Sequence, residues 1–202
     1  MSRLNRIFRK RINKKMQKKL VNKDFSLFCN NCTAAFLLHD LGLRFNSPCV
    51  NLFMYEPDYL KFISDLKHYQ GCELKFIKTN HNYPVAELDD ITIYFMHYES
   101  EQEAENKWIQ RFKRINYDNM FFILHQREKC TDEIIKQFDD LPYKNKVSFT
   151  CKPYPQYKSN FCIENNETNG YLDHLYTYKN RFTGKKHYDD FDFVEWFNNS
   201  NK

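Results

Sequence analysis

Residues 24–43, DFSLFCNNCTAAFLLHDLGL, constrain this chain more than any other stretch. Residues 25–28 form a short apolar run bounded by polar ones, the pattern of a buried strand. Ala34, Ala35, Leu37, Leu38 and Leu41 then recur at helical spacing, and Gly42 stands where a helix stops. Cys29-Asn30-Asn31-Cys32 lies between them. A polar turn that leaves a first strand and opens a helix is where α/β proteins place their ligands. Unpaired N–H groups and the helix dipole at such a position favour a thiolate, so Cys32 is expected to have a lowered pKa.

The rest of the chain repeats the alternation. Val50, Leu52, Phe53 and Met54 mark an extended stretch, and Glu56-Pro57-Asp58 starts a helix that runs to about Tyr69, with proline early and acids near its positive end. A strand is expected at residues 74–77. Ile91, Ile93 and Phe95 alternate with Thr92, Tyr94 and Met96 in a further strand, opened by Asp89-Asp90 and closed by His97-Tyr98. Ser100, with Glu103 at the capping-box position, starts the next helix, through Trp108 to Ile115. MFFIL at 120–124 is a strand, Thr131 caps a helix, 146–150 is another strand, and YDDFDFVEWFN at 188–198 is a closing helix. Residues 151–183 read as loop. Strands alternating with helices predict an α/β three-layer sandwich with a mainly parallel sheet.

Charge is unevenly placed. The chain has 202 residues and a net charge of +5, yet the first twenty residues hold nine Lys or Arg and no acid. Leu4, Ile7, Phe8, Ile12, Met16 and Leu20 fall near helical spacing among them. We therefore read residues 1–21 as a basic amphipathic arm, able to lie on an anionic membrane surface or dock on a partner, and 22–202 as a single α/β domain. The other reading of the arm is a solvated tail. Nucleic acid is not expected, because the positive charge is confined to the arm and no reader motif accompanies it. Seven cysteines without regular spacing, and no apolar segment of signal-peptide length, point to reduced thiols in the cytoplasm, with the arm able to place the protein at the inner face of the membrane. The four glycines form no phosphate-binding loop.

FSLFCNNC, LGLRFNSPCVNLFM with PDYLKF, YPVAELDDITIYFMHY, WIQRFKRIN with Tyr117-Asp118-Asn119, and FDFVEWFN together resemble the exopolysaccharide-biosynthesis family of bacterial proteins, a domain of unknown function. The resemblance spans about residues 22–198. It implies a place beside capsule and surface-polysaccharide synthesis, with acyl or glycosyl transfer among the activities. The first block also resembles, more distantly, papain-like cysteine peptidases. The chain departs from its relatives at Thr33-Ala34-Ala35, where Trp and Gly often follow the cysteine.

The chemistry expected from these residues centres on Cys32. Cys32 supplies a nucleophile, His97 a base oriented by Asp89 or Asp90, and the Cys32 amide with Asn30 or Asn31 an oxyanion site. The two strand ends would meet on one edge of a parallel sheet. The competing reading makes Cys32 a small buried hydrophobe and His97 a structural histidine. Cys29 and Cys32 also have the spacing of a redox pair. Cys130, Cys151, Cys162, His125 and His174 are too scattered to predict a metal site. Lys107, Arg111, Lys113 and Arg114 on one helix can hold the phosphate of a lipid-linked or nucleotide-activated sugar, or form a solvated face. Tyr55, Tyr98 and Trp108 are sugar-stacking candidates, with Ser47 and Asn116 as further substrate-binding candidates. No bound cofactor is implied; an acyl or activated-sugar donor is. Asp189-Asp190-Phe191-Asp192 is the nearest approach to a glycosyltransferase metal motif. The expectation is acyl transfer to a polysaccharide or its precursor, with glycosyl or phosphoryl transfer, or a membrane-associated adaptor without enzymatic activity, as alternatives.

Overall fold

A computed structural model describes residues 3–199. In chain order the elements are α1 (Arg3–Lys19), β1 (Ser26–Cys29), α2 (Thr33–Leu41), α3 (Glu56–Ser64), α4 (Leu66–Gly71), β2 (Lys75–Ile77), β3 (Val85–Leu88), β4 (Ile91–Tyr94), α5 (Glu101–Phe112), β5 (Met120–His125), α6 (Asp132–Asp140), β6 (Lys146–Thr150), β7 (Asn160–Cys162), β8 (Glu167–Thr168), β9 (Tyr171–Leu172) and α7 (Phe193–Asn198). The 3-10 turn His187–Asp190 precedes α7.

A four-stranded parallel sheet, ordered β1-β5-β6-β7, lies at the centre. Its inner strand β5, MFFILH, is almost wholly apolar because both faces are covered. Successive side chains of a strand point to opposite faces, and the sequence of β1 and β5 obeys this. Phe28, Phe122 and Leu124 enter one core with Phe62 of α3, Trp108 of α5 and Phe138 of α6. Leu27, Cys29, Phe121 and Ile123 enter the other with Leu37 and Leu38 of α2 and Phe193 and Phe197 of α7. Each wholly buried phenylalanine contributes roughly 1.5–3 kcal/mol through lost apolar surface. The α/β sandwich predicted from the alternation of strands and helices is the observed architecture.

Three local expectations are corrected. The strand before His97 belongs to a separate antiparallel sheet, β2-β3-β4, rather than to the parallel one. Asp89 and Asp90 form the β3–β4 turn, with Asp89 at φ 54, a left-handed conformation that aspartate tolerates. The helix expected from Glu56 to Tyr69 breaks at Asp65, whose carboxylate accepts the His68 N–H at 3.0 Å and restarts the chain as α4. The segment 151–183 adds β7 to the sheet and carries the β8–β9 hairpin.

The basic arm is a helix from its third residue and is docked on the body by its polar side. Arg9 is buried, with Nε 3.0 Å from Asp40 Oδ2 and Nη1 2.5 Å from Asp189 Oδ2, and its Nη2 donates to Tyr188 Oη at 3.1 Å. Lys186 Nζ reaches the same Asp40 oxygen at 2.7 Å, and Asn13 donates to the other at 2.9 Å. Burial alone would raise the Asp40 pKa; hydrogen bonds from Lys186 and Tyr188, and the charge of Arg9, lower it instead. A buried carboxylate demands such partners, and that demand orients α1. Leu20 is buried with the second core and Met16 packs against it, but Leu4, Ile7 and Phe8 face outward.

Candidate active site

The turn between β1 and α2 is tied to the end of β5 by side chains. Asn30 Nδ2 donates to the His125 carbonyl at 2.9 Å, and Asn30 Oδ1 accepts the His125 N–H at 2.8 Å. The polar turn thus continues the β1–β5 ladder past the last strand residue. Asn31 Oδ1 accepts the Thr33 N–H at 3.0 Å, which starts α2. His125 is fully enclosed. Its Nε2 lies 3.1 Å from the Asp173 carbonyl, which only accepts, so Nε2 carries the proton. Nδ1 is then the acceptor for Asn31 Nδ2 at 2.7 Å and Thr33 Oγ1 at 3.3 Å. Burial, with repulsion from Arg127 and His174, lowers the His125 pKa to about 3, so the ring is neutral and structural.

Above this platform, at the C-terminal edge of β1 and β5, lies a cavity of about 340 Å³. Five chain segments line it. The β1–α2 turn supplies Asn30, Asn31 and Cys32, and the entry to α3 supplies Tyr55 and Glu56. The segment after β4 supplies His97, the segment after β5 Arg127, and the segment after β9 His174 and Tyr176. Cys32 and His97 therefore share a cavity although their strands belong to different sheets.

Cys32 is not the activated thiol the turn suggested. It is buried, and burial pushes its pKa up to about 11. From an ordinary value of 9.0 that is about 3 kcal/mol against the thiolate, whereas a helix N-terminus contributes only about 0.3–1 kcal/mol in its favour. Cys29 beneath it is pushed up to about 12 by burial, so burial favours the protonated thiol at both positions.

Glu56 is the group the sequence did not single out. Its Oε1 accepts the Arg127 N–H at 2.5 Å, while Oε2 has no hydrogen-bond partner among the described residues, and no part of the residue reaches solvent. Burial raises its pKa to about 7, against the backbone hydrogen bonds that lower it. Its only sequence signal is a place in the first turn of α3 beside Pro57, which equally fits an acid serving the helix dipole. Arg127 stacks over Tyr171 at 4.9 Å and pairs with Glu128 at 3.1 Å. His174 stacks on Tyr176 at 4.9 Å; its Nδ1 has no partner among the described residues, and burial with the nearby Arg127 lowers its pKa. Tyr55 meets Phe53 and Tyr94 edge-on and carries Lys129 Nζ 3.8 Å from its ring centre.

Other candidates lie elsewhere. Asp89 and Asp90 sit at the opposite end of β4 from His97 and cannot orient it. Asp90 accepts from Lys61 and Tyr69, each at 2.7 Å, and Asp89 pairs with His68 at 2.7 Å. His68, Cys72 and Asp89 have donor atoms within 4.8 Å of one another at the surface, and none of them lines the cavity. Ser47 is buried and donates to Leu27 O at 2.6 Å. Tyr98 donates to Val50 O at 2.7 Å, and Arg111 turns inward onto the same carbonyl at 3.2 Å and onto Tyr98 Oη. Trp108 is core, 5.0 Å from Phe112. Arg114 reaches Phe45 O at 3.4 Å. Asn116 binds Ser26 and Asp24 beside the start of β1, away from the cavity. The α5 phosphate cradle is thus not assembled: Arg111 is turned inward, where it donates to Val50 O and Tyr98 Oη. Asp189 and Asp190 pair with Arg9 and Lys179 rather than standing free as a metal motif.

A Haemophilus influenzae protein described as an uncharacterized protein is 43% identical over 189 residues, covering 94% of this chain and 91% of the relative. The model of one family matches residues 3–198, nearly all of the described chain, including the α1 helix. By that match the chain belongs to the family described as Domain of unknown function (DUF1919).

Proposed function

We propose that this protein is a cytoplasmic transferase of capsule or exopolysaccharide synthesis, moving an acyl group onto a hydroxyl of a saccharide, lipid-linked or nucleotide-activated precursor held in the cavity. The observation that carries the reading is Glu56, a buried carboxyl with one oxygen unpartnered among the described residues, in the wall of a cavity that also offers aromatic faces and a cation. Tyr55 and Tyr176 supply surfaces for a sugar ring, and Asn31, His97 and His174 supply polar contacts that fix its orientation.

A carboxyl with a pKa near neutrality just behind the cavity wall is suited to exchange a proton with a bound hydroxyl once the wall gives way to it. Glu56 takes the proton from the acceptor hydroxyl. The acceptor oxygen attacks the acyl carbonyl carbon, the bond to the leaving group breaks, and Glu56 returns the proton to that group. Arg127 balances negative charge developing at the carbonyl oxygen. A second reading, favoured by the shared cavity of Cys32 and His97, passes the acyl group through a Cys32 thioester with His97 as base. The Cys32 thiol, held protonated by burial, weighs against it.

Glu56→Gln, Cys32→Ala and His97→Ala, each made in the host cell, separate these readings by mass spectrometry of the surface polysaccharide together with its yield. Loss of acyl groups in Glu56→Gln alone supports direct transfer. Loss in Cys32→Ala and His97→Ala supports the thioester route. Loss of polymer in all three indicates glycosyl or phosphoryl transfer at an earlier step. Unchanged polymer from all three folded variants overturns the enzyme reading and leaves an adaptor.

A further inference from the structure

The α1 helix is amphipathic in a sense opposite to the usual surface helix. Its inward side carries Asn5, Arg9, Asn13 and Gln17, held by hydrogen bonds to Asn180, Asp40 and Asp189. Leu4, Ile7 and Phe8 are consequently forced to the outside, 48%, 43% and 36% exposed. Arg11, Lys14, Lys15 and Lys18 continue the outward side along the helix, all exposed, and α1 holds no acid.

A second apolar group stands beside the first. Asn5 Nδ2 donates to Asn180 O at 2.7 Å, and Asn5 Oδ1 accepts the Gly184 N–H at 3.0 Å, pinning the loop between them to α1. Gly184, at φ +69, lies so close that a Cβ there would stand 2.6 Å from the Arg9 nitrogen and 2.7 Å from Phe8 Cβ. The Asn180 side chain accepts the N–H groups of Phe182 and Thr183, each at 3.0 Å, which fixes the turn. Phe182 at its tip is 67% exposed, flanked by exposed Arg181 and Lys185.

We propose that the outward side of α1, with the loop of residues 179–185, is a docking surface for an anionic lipid bilayer. Leu4, Ile7, Phe8 and Phe182 enter the headgroup boundary while the arginines and lysines around them meet lipid phosphates. A second copy of this chain is disfavoured as the occupant, because two such faces would bring like charges together. The buried Arg9–Asp40–Asp189 network holds the helix in this orientation before contact, so little ordering is required on binding. The surface is independent of the reaction carried out in the cavity.

The test is co-sedimentation of the full chain with vesicles of phosphatidylethanolamine and phosphatidylglycerol, against vesicles of phosphatidylcholine alone. Binding to the anionic vesicles, weakened by salt, is expected. Phe8→Ser with Phe182→Ser is expected to lower partitioning at least about tenfold, and Lys14→Glu at least about fivefold; the exposed Lys14 and Phe182 leave the unfolding midpoints of Lys14→Glu and of Phe182→Ser alone unchanged, and the double variant is compared where it is folded. Failure to sediment with anionic vesicles overturns the proposal, as does binding that ignores both lipid charge and the substitutions. A concentration-dependent dimer lost in the same variants would also overturn it, assigning the face to a second copy.

Discussion

Asn30 and His125 exchange two hydrogen bonds, side chain to backbone, at 2.9 and 2.8 Å, and so extend the parallel pairing of β1 and β5 into the floor of the cavity. The contact performs with a side chain what a ladder residue performs with its backbone, which leaves the chain free to turn into α2.

Asn30→Ala is expected to destabilise the protein by about 2–3 kcal/mol, because it leaves a buried N–H and a buried carbonyl without partners. Asn30→Asp, which keeps the acceptor but sets a charge against the His125 carbonyl, is expected to cost at least as much. Urea denaturation followed by far-ultraviolet circular dichroism measures both; a loss of less than about 0.5 kcal/mol in Asn30→Ala would show that the clamp is dispensable.

Glu56 makes stability depend on pH with a definite sign. Its folded pKa, about 7, lies above its ordinary value of 4.5, so the folded state binds more protons between those values. The stability this group supplies is fully present below pH 4.5 and is lost as pH rises through about 7, by about 3 kcal/mol in all. Glu56→Gln, neutral throughout, is expected to be more stable than wild type at pH 8 and to lack this component of the slope. Denaturant midpoints of both proteins at pH 5 and pH 8 give the comparison.

The cysteines are expected to react in an order set by access and thiolate content. Under native conditions at neutral pH, a colorimetric disulfide reagent is expected to reach the partly exposed Cys72, Cys151 and Cys162 before Cys32, and Cys29 and Cys49 last. Denaturant is expected to expose all seven thiols. Preferential native labelling of Cys32, located by peptide mapping, would contradict a thiol held protonated by burial.

Arg9 is expected to matter more than any other basic residue of α1. Arg9→Ala leaves Asp40 and Asp189 short of a buried cation and is expected to cost about 3 kcal/mol, whereas Lys10→Ala, on an exposed position, is expected to change stability by less than about 0.5 kcal/mol. Thermal unfolding of the two variants beside wild type checks the contrast.

Much of the fold was legible because its signals are local. The 25–28 run, the Ala34–Leu41 periodicity and Gly42 determine β1, α2 and the cap between α2 and the next segment, where Gly42 takes φ 68. Alternation of strands with helices was enough to predict a parallel sheet covered on both faces. Pairing is not local, and that is where the reading departed: the Ile91–Tyr94 strand shows the same alternation whether it joins the parallel sheet or an antiparallel hairpin, and only its pairing with β3 decides.

The sequence by itself determined which residues can do chemistry at the first polar turn, and it placed Cys32, Asn30, Asn31, His97 and Tyr55 among the candidates that line one cavity. Tertiary structure decided what those groups are. Desolvation is set by neighbours distant in the chain, so it left the Cys32 thiol protonated, raised the pKa of Glu56, and drew His174 and Tyr176 from an apparently featureless segment into the wall. The same physics set α1: nine cations in twenty residues read as an arm for a membrane or a partner, or as a solvated tail, but the buried Asp40 carboxylate is paired by Arg9 and Lys186, which turns the polar side of α1 inward and leaves Leu4, Ile7 and Phe8 exposed while Met16 and Leu20 still pack on the body.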